Sequence, residues 1–191
     1  EASADDNIKG ILLNIDNISS GIASLEEIRN SLLDFKENSG KFIYSYSETY
    51  SQGAYYLSSV ADEIYLYPTG ILDFRGLGTE LMFFKGSLDK LGVEMQIIRG
   101  SNNKFKSAVE PFIYKQMSDA NREQIMLLLN SIWSNMLTNI KASRNISLEE
   151  MNEIADSVYV RNANSSVDYQ LVDKLLYEDE LFNILKKETQ T

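Results

Sequence analysis

Lys106 and Ser51 are the residues of this sequence whose types and settings could support covalent chemistry. Lys106 stands in a loop among apolar residues, with Phe105 before it and Ala108 and Val109 after it. Apolar surroundings favour the neutral amine of a lysine, and a neutral amine can take a proton from a serine hydroxyl. Lys106 is therefore the candidate general base, against the common alternative of a solvated loop lysine.

Ser51 is the candidate nucleophile, because it stands at a predicted strand-to-helix turn just before Gly53. The backbone N–H groups at the start of a helix can stabilise an oxyanion at such a turn. A serine in this position is also an ordinary helix N-cap, and the local sequence favours the N-cap. Both roles of Ser51 remain open at this point.

The residue types that are missing restrict the chemistry further. The 191 residues include no His and no Cys, which excludes a Ser-His-Asp triad, a thiol nucleophile and metal sites built from these residues. The net charge of −10 makes nucleic acid and strongly anionic membrane surfaces poor partners. Acid–base chemistry would therefore depend on Lys, Asp, Glu or Tyr.

Strand and helix patterns alternate about every 30 residues, which predicts an α/β fold with a largely parallel sheet. The predicted strands are 8–15, 41–46, 63–67 and 93–98, with a short strand at 158–160. The first predicted helix opens with a Ser24/Glu27 capping box and stops at Gly40. Further helices are predicted at 54–61, 83–91, 118–144 and 177–187, and another begins after the capping residue Ser147. Residues 47–53 are predicted to form a turn, Pro68 to end the third strand, and 162–166 to form a polar loop.

Two apolar features go beyond a simple core. The long helix after the lysine loop has a second apolar face that includes Met126, Trp133 and Leu137, which predicts contact with another subunit or domain. Tyrosines cluster between residues 44 and 67, where a core edge or an oligomer interface is favoured over ligand stacking.

The segment Lys106–Phe112 resembles the general-base loop of the signal peptide peptidase A family, also called protease IV. The runs Tyr50–Ser59, Ile64–Gly70, Lys90–Val93 and Leu171–Asp173 resemble the same family. The similarity spans nearly the whole chain, and the lysine loop is its most specific part.

This resemblance implies a Clp-protease/crotonase-like fold of stacked βαβ units with a long helix after the lysine loop. It also implies a serine–lysine dyad peptidase that degrades signal peptides after their release from preproteins, with no metal or cofactor. Members of the family are membrane-anchored, with the catalytic part outside the cytoplasmic membrane, and they form homo-oligomers, typically tetramers of the long form. We expect the same location and assembly here, with the membrane anchor outside these 191 residues.

The long form of the family has two similar domains, with the lysine in the N-terminal one and the serine nucleophile in the C-terminal one. Residues 1–191 resemble the N-terminal domain, entered partway through, so we expect one Clp/crotonase-like domain without the nucleophile-bearing second domain. The family's nucleophile turn has two glycines after the serine, and Gln52 departs from that pattern. The 55-residue separation of Ser51 and Lys106 nevertheless resembles that in single-domain relatives carrying both groups.

Three hypotheses follow. The leading one is that the chain supplies Lys106 to a serine in a second domain and is inactive by itself, with cleaved signal peptides or other hydrophobic peptides as substrates. The second is a self-contained Ser51/Lys106 dyad. The third is a non-catalytic crotonase-like module that binds peptides or scaffolds an assembly.

Overall fold

A parallel β-sheet is the framework of the chain in the computed structural model, which describes residues 2–98 and 106–190. Its strands lie side by side in chain order, and each pairs in parallel with the next. They are β1 (Gly10–Asn14), β2 (Phe42–Tyr50), β3 (Glu63–Leu72) and β4 (Lys174–Leu175). This arrangement confirms the predicted α/β class with a parallel sheet.

Helices connect the strands, as parallel pairing requires. α1 (Ile22–Ser39) links β1 to β2, and α2 (Gln52–Ser58) links β2 to β3. The crossover from β3 to β4 contains α3 (Lys85–Lys90), α4 (Glu110–Ile113), α5 (Asp119–Ser143), α6 (Leu148–Asp156) and α7 (Ala163–Asp168), and α8 (Glu178–Thr189) follows β4. α5 is the long helix that the sequence predicts after the lysine loop.

The two faces of the sheet bury different side chains, because successive residues of a strand point to opposite sides. Tyr46 and Tyr65 lie on one face, where Leu181 of α8 packs against them. Ile43 and Ile64 lie on the other face and are fully buried. The tyrosine cluster therefore contributes to the core of the protein.

A buried polar network joins α2 to the two central strands. The Tyr50 hydroxyl lies 2.8 Å from Ser45 Oγ and donates to the Tyr65 carbonyl oxygen over 3.1 Å. Ser45 Oγ also donates to Ser58 Oγ of α2 over 2.8 Å. Since unpaired polar groups are costly inside a protein, these bonds fix the position of α2 against β2 and β3.

β2 and β3 both extend beyond their predicted ends. β2 continues through the predicted turn to Tyr50, and β3 continues past Pro68 to Leu72. The predicted stop at Pro68 is wrong because a bulge places residues 67–70 between consecutive paired positions of β3. A proline lacks a backbone N–H, and a bulge is one of the few places in a sheet that tolerates it.

Gly70 is the residue that lets this bulge lie close to β2. A Cβ atom at Gly70 would come within 2.5 Å of the Glu48 carbonyl oxygen and 2.8 Å of Leu66 Cδ1. Both distances are too short for any side chain, so the bulge needs glycine here.

The predicted strand at residues 93–98 is wrong, since this segment has no regular secondary structure. None of the described strands pairs with this segment. Val93, Met95 and Ile98 of the segment are also exposed, with Ile98 completely so. The apolar pattern was therefore not a sign of burial in the sheet.

The helix ends show which capping signals were correct. Gly40 ends α1 in a left-handed conformation (φ 63°), and its N–H donates to the Lys36 carbonyl oxygen, as predicted. Ser147 caps α6, as predicted, by accepting from the Glu150 N–H over 3.1 Å. The Ser24 capping box is wrong, because α1 already begins at residue 22 and Ser24 lies within its first turn.

The predictions at 158–166 are also wrong. Residues 158–160 are not a strand, and the predicted polar loop instead forms α7. The reason is a capping box in which the side chains of Asn162 and Ser165 each accept a hydrogen bond from the other's backbone N–H. This arrangement starts a helix within a segment whose polar composition suggested a loop.

The chain forms two compact units. The first contains residues 1–76 and 136–191 and includes the sheet, and the second contains residues 77–135. The boundary at residue 135 falls within α5. Among the described residues, no helix combines the length and apolarity needed to cross a bilayer.

We predict that the buried tyrosines make the fold sensitive to alkaline pH. Burial raises the pKa of Tyr50 and Tyr55 well above the ordinary value of 10.0. The unfolded chain ionises these hydroxyls near pH 10 while the folded chain keeps them protonated, so the free energy of unfolding is undiminished below pH 10 and falls above it. Tyrosine absorbance and circular dichroism, followed together against pH, should show the buried tyrosines ionising only as the protein unfolds.

Tyr55→Phe is the matched variant for this titration. No described group lies within hydrogen-bonding distance of the Tyr55 hydroxyl, so phenylalanine removes the titrating group and keeps the packing. Alkaline unfolding should then move to higher pH. Ionisation of every tyrosine near pH 10 in a protein that stays folded would contradict the prediction.

Candidate active site

Ser51 lies where β2 ends and α2 begins, at the carboxyl-terminal edge of the sheet. Its Oγ accepts a hydrogen bond from the Ala54 N–H over 3.3 Å, and its own N–H donates to the Asp16 carbonyl oxygen over 2.9 Å. The first of these bonds is that of a helix N-cap, and the structure therefore has Ser51 as the N-cap of α2. Its role as a nucleophile stays a prediction.

Gln52, the next residue, ties the start of α2 to the loop after β3. Its Oε1 accepts from the N–H groups of Arg75 and Gly76 over 3.1 and 3.0 Å, and its Nε2 donates to the Gly76 carbonyl oxygen over 3.0 Å. A glycine at position 52, as in the family's nucleophile turn, could make none of these side-chain bonds. The departure from the family pattern therefore has a structural role here.

The loop after β1 is fastened to the same edge of the sheet. Asp16 Oδ1 accepts from the Ser47 hydroxyl over 2.6 Å, and Ser47 Oγ accepts from the Thr49 N–H over 2.9 Å. Together with the Ser51 bond to the Asp16 backbone, these contacts hold the ends of β1 and β2 together. The polar groups near Ser51 thus stabilise the turn itself.

Lys106 belongs to the second unit and precedes the turn that leads into α4. Its side chain is exposed, as is Ala108, while Val109 is half-buried. Among the described residues, then, the apolar neighbours do not bury the lysine as the sequence suggested, because this turn lies at the surface of its unit. Phe105, the other predicted neighbour, falls outside the described residues.

Glu110, four residues after Lys106, is the buried residue of this segment. Only 4% of it is exposed, and its carboxylate accepts from the Ser118 hydroxyl over 2.5 Å, the Ser118 N–H over 3.2 Å and Asn121 Nδ2 over 3.0 Å. Ser118 Oγ in turn accepts from the Asn121 N–H at the start of α5. The turn from Lys106 to Glu110, the lysine turn, is therefore fixed to the N-terminus of α5.

A largely apolar groove of about 620 Å³ lies beside this turn, within the second unit. Its lining residues come from the lysine turn, from α5 and from the segment before α3: Ser107, Ala108, Pro111, Asn121, Gln124, Ile125, Leu128 and Leu81. Phe84 and Phe112 stack nearby in the same unit with ring centroids 5.9 Å apart. A groove of this size and character suits an extended apolar segment.

Asp173, the last residue of the Leu171–Asp173 run that resembles the family, has a structural role in the first unit. Its carboxylate forms a bidentate pair with Arg144 over 2.8 and 2.9 Å and also accepts from the Ile64 N–H over 2.7 Å. Burial lowers the pKa of Arg144, but the hydrogen bonds to Asp173 and the nearby charges, including those of Asp173 and Glu63, together raise it above its ordinary value. This pair holds the segment before β4 against β3.

Sequence reasoning missed the positions of Gln52 and Glu110 in these bonding networks. Gln52 was noted only as a departure from a motif, and Glu110 only as a member of one. A glutamate followed by proline, with a Ser-x-x-Asn pattern eight residues later, is the signal that could have indicated a carboxylate at a helix start.

The parallel sheet, the strand-to-helix turn that carries Ser51 and the long α5 define an α/β protein of the Clp-protease-like class. Within this class, the chain belongs to a particular family: the profile described as Peptidase family S49 matches residues 36–191. The family that the motifs indicated is thereby confirmed.

Relatives from bacteria and a plant agree with this assignment. The chain is 36% identical to Protease 4 of Salmonella typhi over 98% of its own length and 31% of the relative's. It is 37% identical to Protease 4 of Haemophilus influenzae over 79% and 24%, and 32% identical to the chloroplastic Serine protease SPPA of Arabidopsis thaliana over 98% and 27%. The chain thus spans about a quarter to a third of the length of these relatives.

We predict that Gln52→Ala loosens the loop after β3. The substitution removes three hydrogen bonds and should lower the free energy of unfolding by about 1–3 kcal/mol. Hydrogen exchange should accelerate at the Arg75 and Gly76 amides, whose acceptor is lost.

Gln52→Glu is the matched control, because it keeps the acceptor for both amides and loses only the donor to Gly76. Exchange at the two amides should be intermediate in this variant. Unchanged exchange in Gln52→Ala would show that the side chain does not hold the loop.

Proposed function

We propose that this chain supplies the lysine general base of a serine–lysine dyad peptidase whose nucleophilic serine lies in a second domain. The observation that carries the proposal is the contrast between the two candidate residues. Ser51 is used as an N-cap beside the Gln52 bonds, whereas Lys106 presents an exposed amine on a turn held in place by Glu110. Membership of peptidase family S49 supports the reaction class.

In the proposed reaction, the neutral Lys106 amine takes the proton of the serine hydroxyl as its oxygen attacks the peptide carbonyl carbon. Backbone N–H groups beside that serine stabilise the oxyanion. The protonated lysine then gives its proton to the leaving amine, and an acyl-enzyme forms. Lys106 next takes a proton from water, which attacks the ester carbonyl carbon. The protonated lysine returns this proton to the serine oxygen as the ester bond breaks, which releases the second product and the free serine.

We propose cleaved signal peptides and similar hydrophobic peptides as the substrates. The apolar groove beside Lys106 supports this class, because an apolar segment bound there would lie next to the turn that carries the base. A location on the outer side of the bacterial cytoplasmic membrane is proposed from the resemblance of the Lys106–Phe112 segment and the other motifs to the signal peptide peptidase A family.

We also propose that the protein works as a homo-oligomer, with a tetramer as the expected form. The support is a patch of α5 where the side chains of Met126 and Leu127 are half or more exposed, whereas Leu137 of the predicted second apolar face is buried. Such a run of exposed apolar residues is typical of a surface covered by another subunit or domain.

The self-contained Ser51/Lys106 dyad is the second candidate, favoured by the position of Ser51 at the carboxyl-terminal edge of a parallel sheet. Sites of α/β proteins are commonly formed at that edge. A non-catalytic peptide-binding or scaffold module is the third reading. It would be supported if neither the chain nor the full-length protein cleaved a hydrophobic reporter peptide.

We predict that Lys106→Cys inactivates the full-length protein and that chemical repair restores it. Loss of the general base should lower kcat by about 100- to 10,000-fold. These 191 residues contain no native Cys, so within them treatment with 2-bromoethylamine would convert only position 106, into a lysine analogue, and should recover much of the turnover of the reporter peptide.

Iodoacetamide is the matched control reagent, because it modifies the same thiol without adding an amine. Recovery with both reagents, or near-normal turnover of the unmodified Lys106→Cys protein, would contradict the role of Lys106.

We predict that Ser51→Ala in the full-length protein lowers the free energy of unfolding by about 1 kcal/mol and leaves turnover intact. The loss of stability follows from removal of the N-cap bond to Ala54. Thermal unfolding and peptide hydrolysis, measured on the same preparation, check both parts. Loss of turnover in a folded Ser51→Ala protein would favour the self-contained dyad instead.

A further inference from the structure

We infer that Glu110 is a positioning residue for Lys106, acting on the reaction through the placement of the lysine turn. The inference rests on the proposed function, because it concerns how the proposed base is held. The bonds of the Glu110 carboxylate, its burial and its short distance in sequence from Lys106 carry the argument.

The Glu110 carboxylate is a buried anion whose hydrogen bonds fix it in one place. A carboxylate removed from water is costly unless its oxygens receive hydrogen bonds, and Ser118 and Asn121 provide three. Both residues lie at the start of α5, where the helix dipole also favours negative charge. Any displacement of Glu110 would break several of these bonds at once.

The backbone between Glu110 and Lys106 transmits this constraint. The Glu110 N–H donates to the Ser107 carbonyl oxygen over 2.9 Å and closes the turn after Lys106. Pro111 restricts the backbone on the other side, and its carbonyl oxygen accepts from the Phe84 N–H over 2.7 Å. The backbone of Lys106 is therefore connected by one short turn to Glu110, whose position is fixed by its hydrogen bonds.

Lys106 needs such support because its own side chain is exposed. Among residues 2–98 and 106–190, no contact buries the Lys106 side chain, so the reach of its amine is set mainly by where the turn places its backbone. A misplacement of about 1 Å in a catalytic group can lower the rate about 100-fold. The buried carboxylate would thus control the approach of the base to its serine.

The test compares Glu110→Ala with Asp173→Asn in the full-length protein. Asp173 also bonds both a side chain and a backbone N–H, but it lies in the first unit and has no part in the proposed site. Both variants should unfold at lower temperature. At a temperature where both are folded by circular dichroism, Glu110→Ala should lower kcat for the reporter peptide by about 10- to 100-fold with little change in KM, whereas Asp173→Asn should stay within about twofold of the native rate.

Glu110→Gln provides a conservative variant that has the same shape and keeps one acceptor oxygen. Its kcat should lie between those of the native protein and Glu110→Ala. If Glu110→Ala does not fold, Glu110→Gln replaces it in the comparison. Ser118→Ala removes the hydroxyl that donates to the Glu110 carboxylate over 2.5 Å. It should also lower kcat, but by less than Glu110→Ala does. Rates for both of these variants that match Asp173→Asn would overturn the inference.

A double substitution shows whether Glu110 acts through Lys106. If it does, adding Glu110→Ala to Lys106→Ala should not lower the residual rate further, because the group that it positions is already gone. An equal loss in both backgrounds would overturn the inference. Near-normal turnover of Lys106→Ala alone would instead overturn the proposed function, so the two failures are distinguishable.

Discussion

The parallel pairing of β2 with both β1 and β3 is the interaction on which the rest of the first unit depends. It places Ser51 and Gln52 at the carboxyl-terminal edge of the sheet, directly after the last residue of β2. The Asp16 and Gln52 hydrogen bonds then join the ends of three strands at this edge. The usual location of a site in an α/β sheet is here occupied by contacts that stabilise the fold.

The second unit differs from the first, because, among the described residues, its candidate residue is not used in contacts that stabilise the turn around Ser51. Its exposed lysine stands on a turn fixed by a buried carboxylate, next to an apolar groove. An exposed amine held by a rigid turn is suited to meet a partner group brought by another domain, whereas an amine paired within its own unit would already be occupied. The two units together favour a chain that contributes a base to a larger peptidase.

The sequence predicted the elements whose signals are local. The ends of β1 and α5 lie within two residues of their predicted positions, whereas the start of α1 was predicted three residues too late. Gly40 and Ser147 cap helices as expected, because helical periodicity and capping residues act over a few positions. The family motifs likewise indicated Lys106 and the departure at Gln52. These features needed no knowledge of what packs against them.

The features that the sequence could not provide depend on distant partners. Residues 93–98 have a strand-like pattern, but none of the described strands pairs with them. β3 passes Pro68 only because Gly70 allows a bulge against Glu48. The Glu110 carboxylate is bonded by Ser118 and Asn121, which no motif linked to it.

The central claim is that Lys106 activates a serine that lies outside this chain. The most direct test is to treat the full-length protein with a peptide phosphonate that forms a stable ester with an activated serine, and to locate the ester by peptide mass spectrometry. The account predicts a modified serine beyond residues 1–191 and no labelling in Lys106→Ala. An ester on Ser51, or labelling that persists without Lys106, would contradict it.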